Sequence, residues 1–293
     1  FGNLDEVKVY SGAVPQTTLD VLARETHLCP IEGAVLGGFN VFESSTPAGA
    51  VAGYIKTKVA GRRFDLSTGN LAIVALTPAD AIDAAFTGTV RVELLDASAG
   101  GALDANGCNA AWPLVATLAN QNVSGGRINM NPIPQVNNAA YPNLKVRVSY
   151  PTVAPTRIGC SNDNFALRPN SLVLNNATHV DWQTPGAGPA LNNTSAVGGQ
   201  VHKAGRDFSL SARARDALGN NIANYSGSPA GGVSALLLPS GCGACVPGAV
   251  TVGGWSGAGL ISSNSANYSE AGAIAMHIED RSFANVDSAD SST

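Results

Sequence analysis

Charge is scarce in this chain. Lys, Arg, Asp and Glu make up 13% of its 293 residues, against about 25% in an average soluble domain. Its 17 basic and 21 acidic residues leave a formal net charge of −4, which excludes the basic field that phosphate backbones or anionic lipids require, so nucleic acid is not an expected partner. Long apolar runs are missing too. The best of them, Leu71-Ala-Ile-Val-Ala-Leu76, has strand length and falls far short of the roughly 18 apolar residues of a membrane-spanning helix. Helical periodicity is confined to Pro15-Gln-Thr-Thr-Leu-Asp-Val-Leu-Ala-Arg24, where Leu19, Leu22 and Ala23 share a face and Pro15 suits a first turn. The first residues, Phe1-Gly-Asn, carry neither a start methionine nor a charged-then-apolar leader, so the chain reads as a mature piece or an internal fragment.

Turn chemistry, by contrast, is plentiful, with 33 Gly and 16 Pro. The length suits about two domains of ordinary size. Strand patterns dominate from residue 39 onward: Lys56 and Lys58 alternate with Ile55, Thr57 and Val59, Arg91 and Glu93 with Val90, Val92 and Leu94, and Lys145 and Arg147 with Leu144, Val146 and Val148. Such alternation predicts half-buried strands with one wet face. In the second half, Phe208 to Arg215 reads as a strand running into the turn Asp216-Ala-Leu-Gly-Asn220. An internal echo sharpens the picture. Ala60-Gly-Arg-Arg-Phe-Asp-Leu-Ser67 matches Ala204-Gly-Arg-Asp-Phe-Ser-Leu-Ser211 at six of eight positions, and Phe86-Thr-Gly88 is followed in kind by Tyr225-Ser-Gly227. Two copies of one sandwich module are expected, so the predicted fold class is all-β, with tandem immunoglobulin-like β-sandwiches.

Five cysteines, Cys29, Cys108, Cys160, Cys242 and Cys245, in a chain poor in charge and rich in loops point to an oxidising compartment. Zinc would want a second knuckle or nearby imidazoles, yet His27, His179, His202 and His277 are scattered and only Cys242-Gly-Ala-Cys245 has ligand spacing. A thioredoxin-like pair would sit at a helix N-terminus after a strand, whereas Pro239 to Pro247 reads as a loop, which favours a short-range disulfide. Cys108 and Cys160 are candidates for a second bridge, leaving Cys29 to pair outside the fragment or with another chain.

Other chemistry is thin. No nucleophile-elbow motif accompanies the serines, and His202 with Asp207 is the nearest thing to a triad fragment; no catalytic residue and no cofactor is expected. Asp96, Asp104 and Asn106 offer oxygen ligands for Ca²⁺, set against the simpler reading of a turn rich in Asp, Asn and Gly. Asn-x-Ser/Thr sequons fall at Asn122, Asn176, Asn192, Asn193, Asn224 and Asn267, and would be glycosylated only in a eukaryotic host. Trp112, Trp182 and Trp255 are either sugar-stacking platforms or ordinary packing.

Phe1-Gly-Asn-Leu-Asp-Glu-Val-Lys-Val-Tyr10 with the short helix after it resembles the closing strand and exit of a laminin-G-like (concanavalin-A-like) jelly roll. Phe39 to Ala50, Val92 to Ala97, Leu103 to Cys108, Cys160 to Pro169, Asp216 to Asn220 and Glu279 to Phe283 together resemble MshQ-like proteins, encoded with MSHA-type (type IV) pilus biogenesis genes. In these, β-sandwich modules follow a laminin-G-like domain. Asp216 to Tyr225 is also similar to a turn in the immunoglobulin-like repeats of bacterial invasins and intimins. The resemblance implies an end of a laminin-G-like domain at 1–29, sandwiches at 30–155 and 170–279, a linker at 156–169, and an acidic tail or linker at 280–293. It implies an exported, non-catalytic structural or adhesive protein of the bacterial cell surface, with pilus or cell-surface proteins as partners. Two further readings are a filament subunit that self-associates through strand donation by residues 1–10, and a carbohydrate-binding module with a glycan ligand.

Overall fold

The computed structural model describes residues 37–180, 188, 190–192, 202–238 and 245–289. As expected, the chain is all-β. The apolar run Leu71–Ala75 forms β3, buried along its whole length, between β1 (Phe39–Glu43) and β7 (Arg127–Asn129) in a three-stranded antiparallel sheet. The opposing seven-stranded sheet is built on two ten-residue strands, β4 (Thr87–Asp96) and β8 (Tyr141–Tyr150), which pair antiparallel from Arg91↔Ser149 to Asp96↔Leu144. Their length lets each take two partners end to end. Strand β4 pairs with β5 (Leu114–Thr117) and β6 (Gln121–Ser124), and β8 with β9 (Arg157–Cys160) and β10 (Phe165–Arg168). A two-residue strand, β2 (Lys58–Val59), joins the edge in parallel with β10, and a single helical turn, α1 (Phe64–Ser67), follows it. Val90, Val92 and Leu94 meet Leu144, Val146 and Val148 in the core beneath Phe39, Val41 and Phe42.

The strand alternation is present and Lys56 and Arg91 remain solvent-accessible, but several other charged side chains are not wet. Lys58 and Glu93 are 0% and 2% exposed and Lys145 is 8% exposed. Lys58 is buried against Phe64 and Glu43, and the outer face of β4 and β8 is itself covered: Leu95, Ala97, Cys108, Trp112 and Cys160 form a second small core there, and Glu93 lies between Arg91 and Arg147. Residues 156–169 also depart from the linker expected of them. They supply β9 and β10, and Phe165, Ala166 and Leu167 are fully buried, so the first sandwich runs through Arg168.

The second sandwich repeats the pairing of the first. Strand β11 (Ser171–His179) pairs with β12 (Phe208–Arg215), and β12 with β15 (Leu260–Tyr268), as β1, β3 and β7 do; β13 (Ala230–Leu238) pairs with β16 (Ala273–Glu279), as β4 does with β8. A short β14 (Val250–Thr251) lies on β15.

The duplication is clearest in the turns after β3 and β12. Thr77 Oγ1 accepts from the N–H groups of Ala79 and Ala81 at 3.3 and 3.2 Å; Asp216 Oδ1 accepts from Leu218 and Asn220, both at 2.9 Å. The fourth residue has positive φ in both, Asp80 at 55° and Gly219 at 84°. Nine residues past the cap comes the buried aromatic, Phe86 or Tyr225, whose carbonyl accepts from Gly126 or Gly259. The echoed octapeptide, however, does not fold alike in its two places. Gly61 and Gly205 both have positive φ and Phe64 and Phe208 are both buried, but the first copy then makes α1 while the second enters β12 directly.

Candidate functional site

The two sandwiches meet through a hydrogen-bonded junction. The turn at Asp216 is its centre, because an Asx side chain that caps its own turn can still offer its second oxygen outward. Asp216 Oδ2 accepts from the N–H of Asn138 in the first sandwich at 3.2 Å, and the next residue, Ala217, donates its N–H to Ala60 O at 2.8 Å. Gly61, at φ +76°, faces this turn so closely that a Cβ there would lie 2.8 Å from Ala217 N, so only glycine fits. The Asn224 amide pairs both ways with Ala140, accepting at 3.0 Å and donating at 2.7 Å. Burial works against the Asp216 carboxylate, but its hydrogen bonds from Asn220, Asn138 and Leu218 outweigh that and hold its pKa below the usual carboxylate value.

The C-terminal segment completes the junction. Residues 280–289, expected as a polar tail or linker, form two short 3₁₀ turns, Ser282–Ala284 and Asp287–Ala289. One aromatic anchors them: Phe283 is 7% exposed and stacks on Tyr225 with ring centres 6.3 Å apart. Asp280 accepts from the Tyr225 hydroxyl at 2.7 Å, and burial together with that bond pushes the phenol pKa up. Asp287 then reaches the first sandwich, accepting from Thr57 N–H at 2.9 Å. Between Arg168, Leu172, Tyr225, Asp280 and Phe283 remains a cavity of about 180 Å³, smaller than the roughly 300–1,000 Å³ of ordinary ligand pockets.

Beside Thr57 lies a buried ion pair that joins the two sheets of the first sandwich. Lys58 Nζ, on β2, contacts Glu43 Oε1, at the end of β1, and also donates to Thr68 Oγ1 at 2.8 Å and Gly69 O at 2.9 Å. Glu43 Oε1 accepts from Lys56 N–H at 3.0 Å, whereas Oε2 is buried and accepts no hydrogen bond among the described residues. Burial pulls the Lys58 pKa down against the fields of Glu43 and Asp287, with Lys56 adding to the downward pull.

Cys108 and Cys160 form a disulfide, with Cα atoms 5.2 Å apart. It pins the long β4–β5 connection to β9, where Cys160 N–H also donates to Asn106 O. Cys245 is disulfide-bonded as well, to a partner beyond the described residues; Cys29 and Cys242 lie outside them, as do the strand expected at residues 1–10, the helix at Pro15–Arg24 and Trp182. The Ca²⁺ candidates serve turns instead. Asp96 Oδ1 caps Ser98 N–H, and Asp104 Oδ1 accepts from Asn106 and Cys108; among the described residues no three His, Cys, Asp or Glu gather as a metal would need. Trp112 packs on the disulfide and donates Nε1–H to Gly100 O, and Trp255 packs in the second sandwich and donates to Pro229 O, so neither is a free sugar platform. His202 Nε2 meets Arg206 O, while Asp207 accepts from Asn267. Nothing in the sequence pattern singles out Glu43, Lys58 or Asp287; Lys58 looks like one more wet-face lysine, and only the short spacing to Gly69 hints at a close approach.

The fold and its junction define a class, tandem β-sandwiches docked through a hydrogen-bonded turn and a returning C-terminal segment. No known family, curated protein or solved structure matches this chain.

Proposed function

We propose that the chain is a rigid, non-catalytic segment of an exported bacterial surface or pilus-associated protein, holding an adhesive or structural neighbour at a fixed distance and angle. The observation that carries this reading is the junction, where Asp216 and Asn224 bond to Asn138 and Ala140 of the first sandwich and Phe283 O and Asp287 accept from Thr57. Domains joined only by a linker move independently by default; here the core continues from Phe64 and Phe165 through Ala212 and Tyr225 to Phe283. The disulfide fits an extracellular location, and among the described residues no helix is long and apolar enough to cross a membrane. Spin labels on the exposed residues Ser98 and Ser234, one in each sandwich, should give one narrow distance distribution by double electron–electron resonance. A broad distribution would remove the basis for a rigid spacer. Protease shaving of intact cells should release the chain, and full protection would place it elsewhere.

A filament subunit is the second reading, favoured by one feature: among the described residues, β13 and β16 pair only with each other, which leaves open edges that a donated strand could extend. Sedimentation over a wide concentration range separates the two, since a filament subunit polymerises and loses that ability on deletion of residues 1–10. The glycan-binding reading finds less support, given the size of the junction cavity and the packed tryptophans, and a glycan array with no retained ligand would end it.

A further inference from the structure

We propose that Lys58 and Glu43 condense into an intramolecular amide that covalently staples the two sheets of the first sandwich. The side chains are 0% and 6% exposed and in contact, joining β1 of the three-stranded sheet to β2 of the seven-stranded one. Amide formation between an amine and a carboxylic acid needs both groups neutral, close and shielded from water, because proximity replaces the entropy of encounter and dryness removes the solvation that favours the ions. Phe64 walls the site, its ring centre 5.8 Å from Nζ. The downward pull of burial on the Lys58 pKa works toward release of its proton to the neighbouring acid.

The two carboxylate oxygens are held differently. Oε1 accepts the Lys56 N–H and Oε2 accepts nothing among the described residues, so Oε1 is kept as the amide carbonyl and Oε2 is the oxygen that leaves. Gly69 lies against Oε2 so closely that a Cβ would collide with it. The step balances without oxidant or cofactor. A proton moves from the Lys58 ammonium to Glu43, the Nζ lone pair attacks Cδ, the Cδ–Oε2 bond breaks, and Oε2 departs as water with that proton and a second one from Nζ. The ammonium and carboxylate become –CO–NH– plus one water. Asp287 is the second acid whose field reaches Lys58; its Oδ2 is held by Thr57 N–H, and its Oδ1 is buried and accepts no hydrogen bond among the described residues. The product also replaces two buried charges and an unpaired oxygen, all costly in a dry interior, with one neutral amide.

The test is the mass of the whole folded chain after reduction of its disulfides. The expected result is a mass one water below that of the sequence, with fragmentation yielding a branched peptide that joins the Glu43 and Lys58 segments. Lys58→Arg keeps the cation but cannot form the bond, and should return the full sequence mass. The full sequence mass in wild-type protein, after long incubation in the folded state, overturns the proposal and leaves an ordinary buried ion pair. A lost water that maps elsewhere, such as a succinimide at another Asp, overturns it equally.

Discussion

Replacing Asp216 by alanine isolates the group on which the junction turns. The carboxylate accepts four hydrogen bonds, from the N–H groups of Leu218, Asn220 and Asn138 and from the Asn220 side chain, and it is 2% exposed. Each hydrogen bond to a charged group is worth about 1.5–3 kcal/mol net, and a buried donor left unpaired costs about 1–3 kcal/mol. The four share one acceptor and do not add in full, which gives about 3–5 kcal/mol for Asp216→Ala. Its counterpart Thr77→Ala should cost under about 1 kcal/mol, since an exposed hydroxyl holds only two N–H groups there at longer range. Urea unfolding followed by tryptophan fluorescence measures both, with coincident transitions expected if the sandwiches unfold together. Lowering the pH should mimic the mutation. A carboxylate whose folded pKa lies below its ordinary 3.8 contributes stability that is present above that value and is lost as pH falls through the folded pKa. An Asp216→Ala penalty no larger than that of Thr77→Ala would refute the account, because it would mean that the second oxygen reaching Asn138 carries nothing between the domains.

Three other perturbations have readable outcomes. Replacing Cys108 and Cys160 together by serine opens a link across 52 residues of sequence, worth about 4 kcal/mol by loop-closure entropy; the transition should move to lower urea and Trp112 emission to the red. Phe283→Ala empties the stacked site on Tyr225 and should cost about 3–5 kcal/mol while broadening the spin-label distances between sandwiches. Lys145 is buried, donates to Ser161 O and Asn162 O, and has its pKa pulled by burial, against the field of Asp163, to about 8. Between that value and the ordinary 10.5 the unfolded chain binds more protons, so stability should rise with pH across this window, by about 3 kcal/mol at most. Lys145→Met should flatten that rise, as read from unfolding midpoints at successive pH values.

Strands were legible because alternation is a local property of the chain, and β4, β8 and β12 fall where Val90 to Leu94, Leu144 to Val148 and Phe208 to Arg215 place them. Burial of the charged faces was not, because it depends on a loop folding back: nothing local to Glu93 or Lys145 announces that Trp112 and a disulfide will sit over that side of the sheet. The duplication was half legible: Phe86 and Tyr225, which open the Phe86-Thr-Gly88 and Tyr225-Ser-Gly227 pair, fall in matching places, but the octapeptide does not. The octapeptide echo starts 17 residues before the Thr77 turn but 12 before the Asp216 turn, because the octapeptide's own Phe64–Ser67 makes α1 in the first copy and β3 begins only at Leu71. The turns themselves match in geometry while sharing almost no sequence, since a threonine hydroxyl and an aspartate carboxylate can fill the same capping role. Residues 280–289 looked like a tail because their average polarity conceals one aromatic anchor, Phe283, whose partner Tyr225 lies far away in the chain.

The difference between the two caps explains why only one of them could become a junction. A hydroxyl at Thr77 is used up by the two N–H groups of its own turn. A carboxylate at Asp216 has a second oxygen left over, and that oxygen is what reaches Asn138. The same turn geometry, repeated in both sandwiches, is therefore closed at a hydroxyl cap and open outward at a carboxylate cap. Gly61 completes the fit, because the first sandwich offers bare backbone where the turn docks. Phe283 and Asp287 then return from the end of the second sandwich to Thr57, just before β2, where Asp287 Oδ2 accepts from the Thr57 N–H and Phe283 O from the Thr57 hydroxyl, so the second sandwich is tied to the edge of the first by side-chain-to-backbone hydrogen bonds. The rigid spacer proposed for this chain rests on that route, since a freely jointed pair of domains would gain nothing from a buried acid between them.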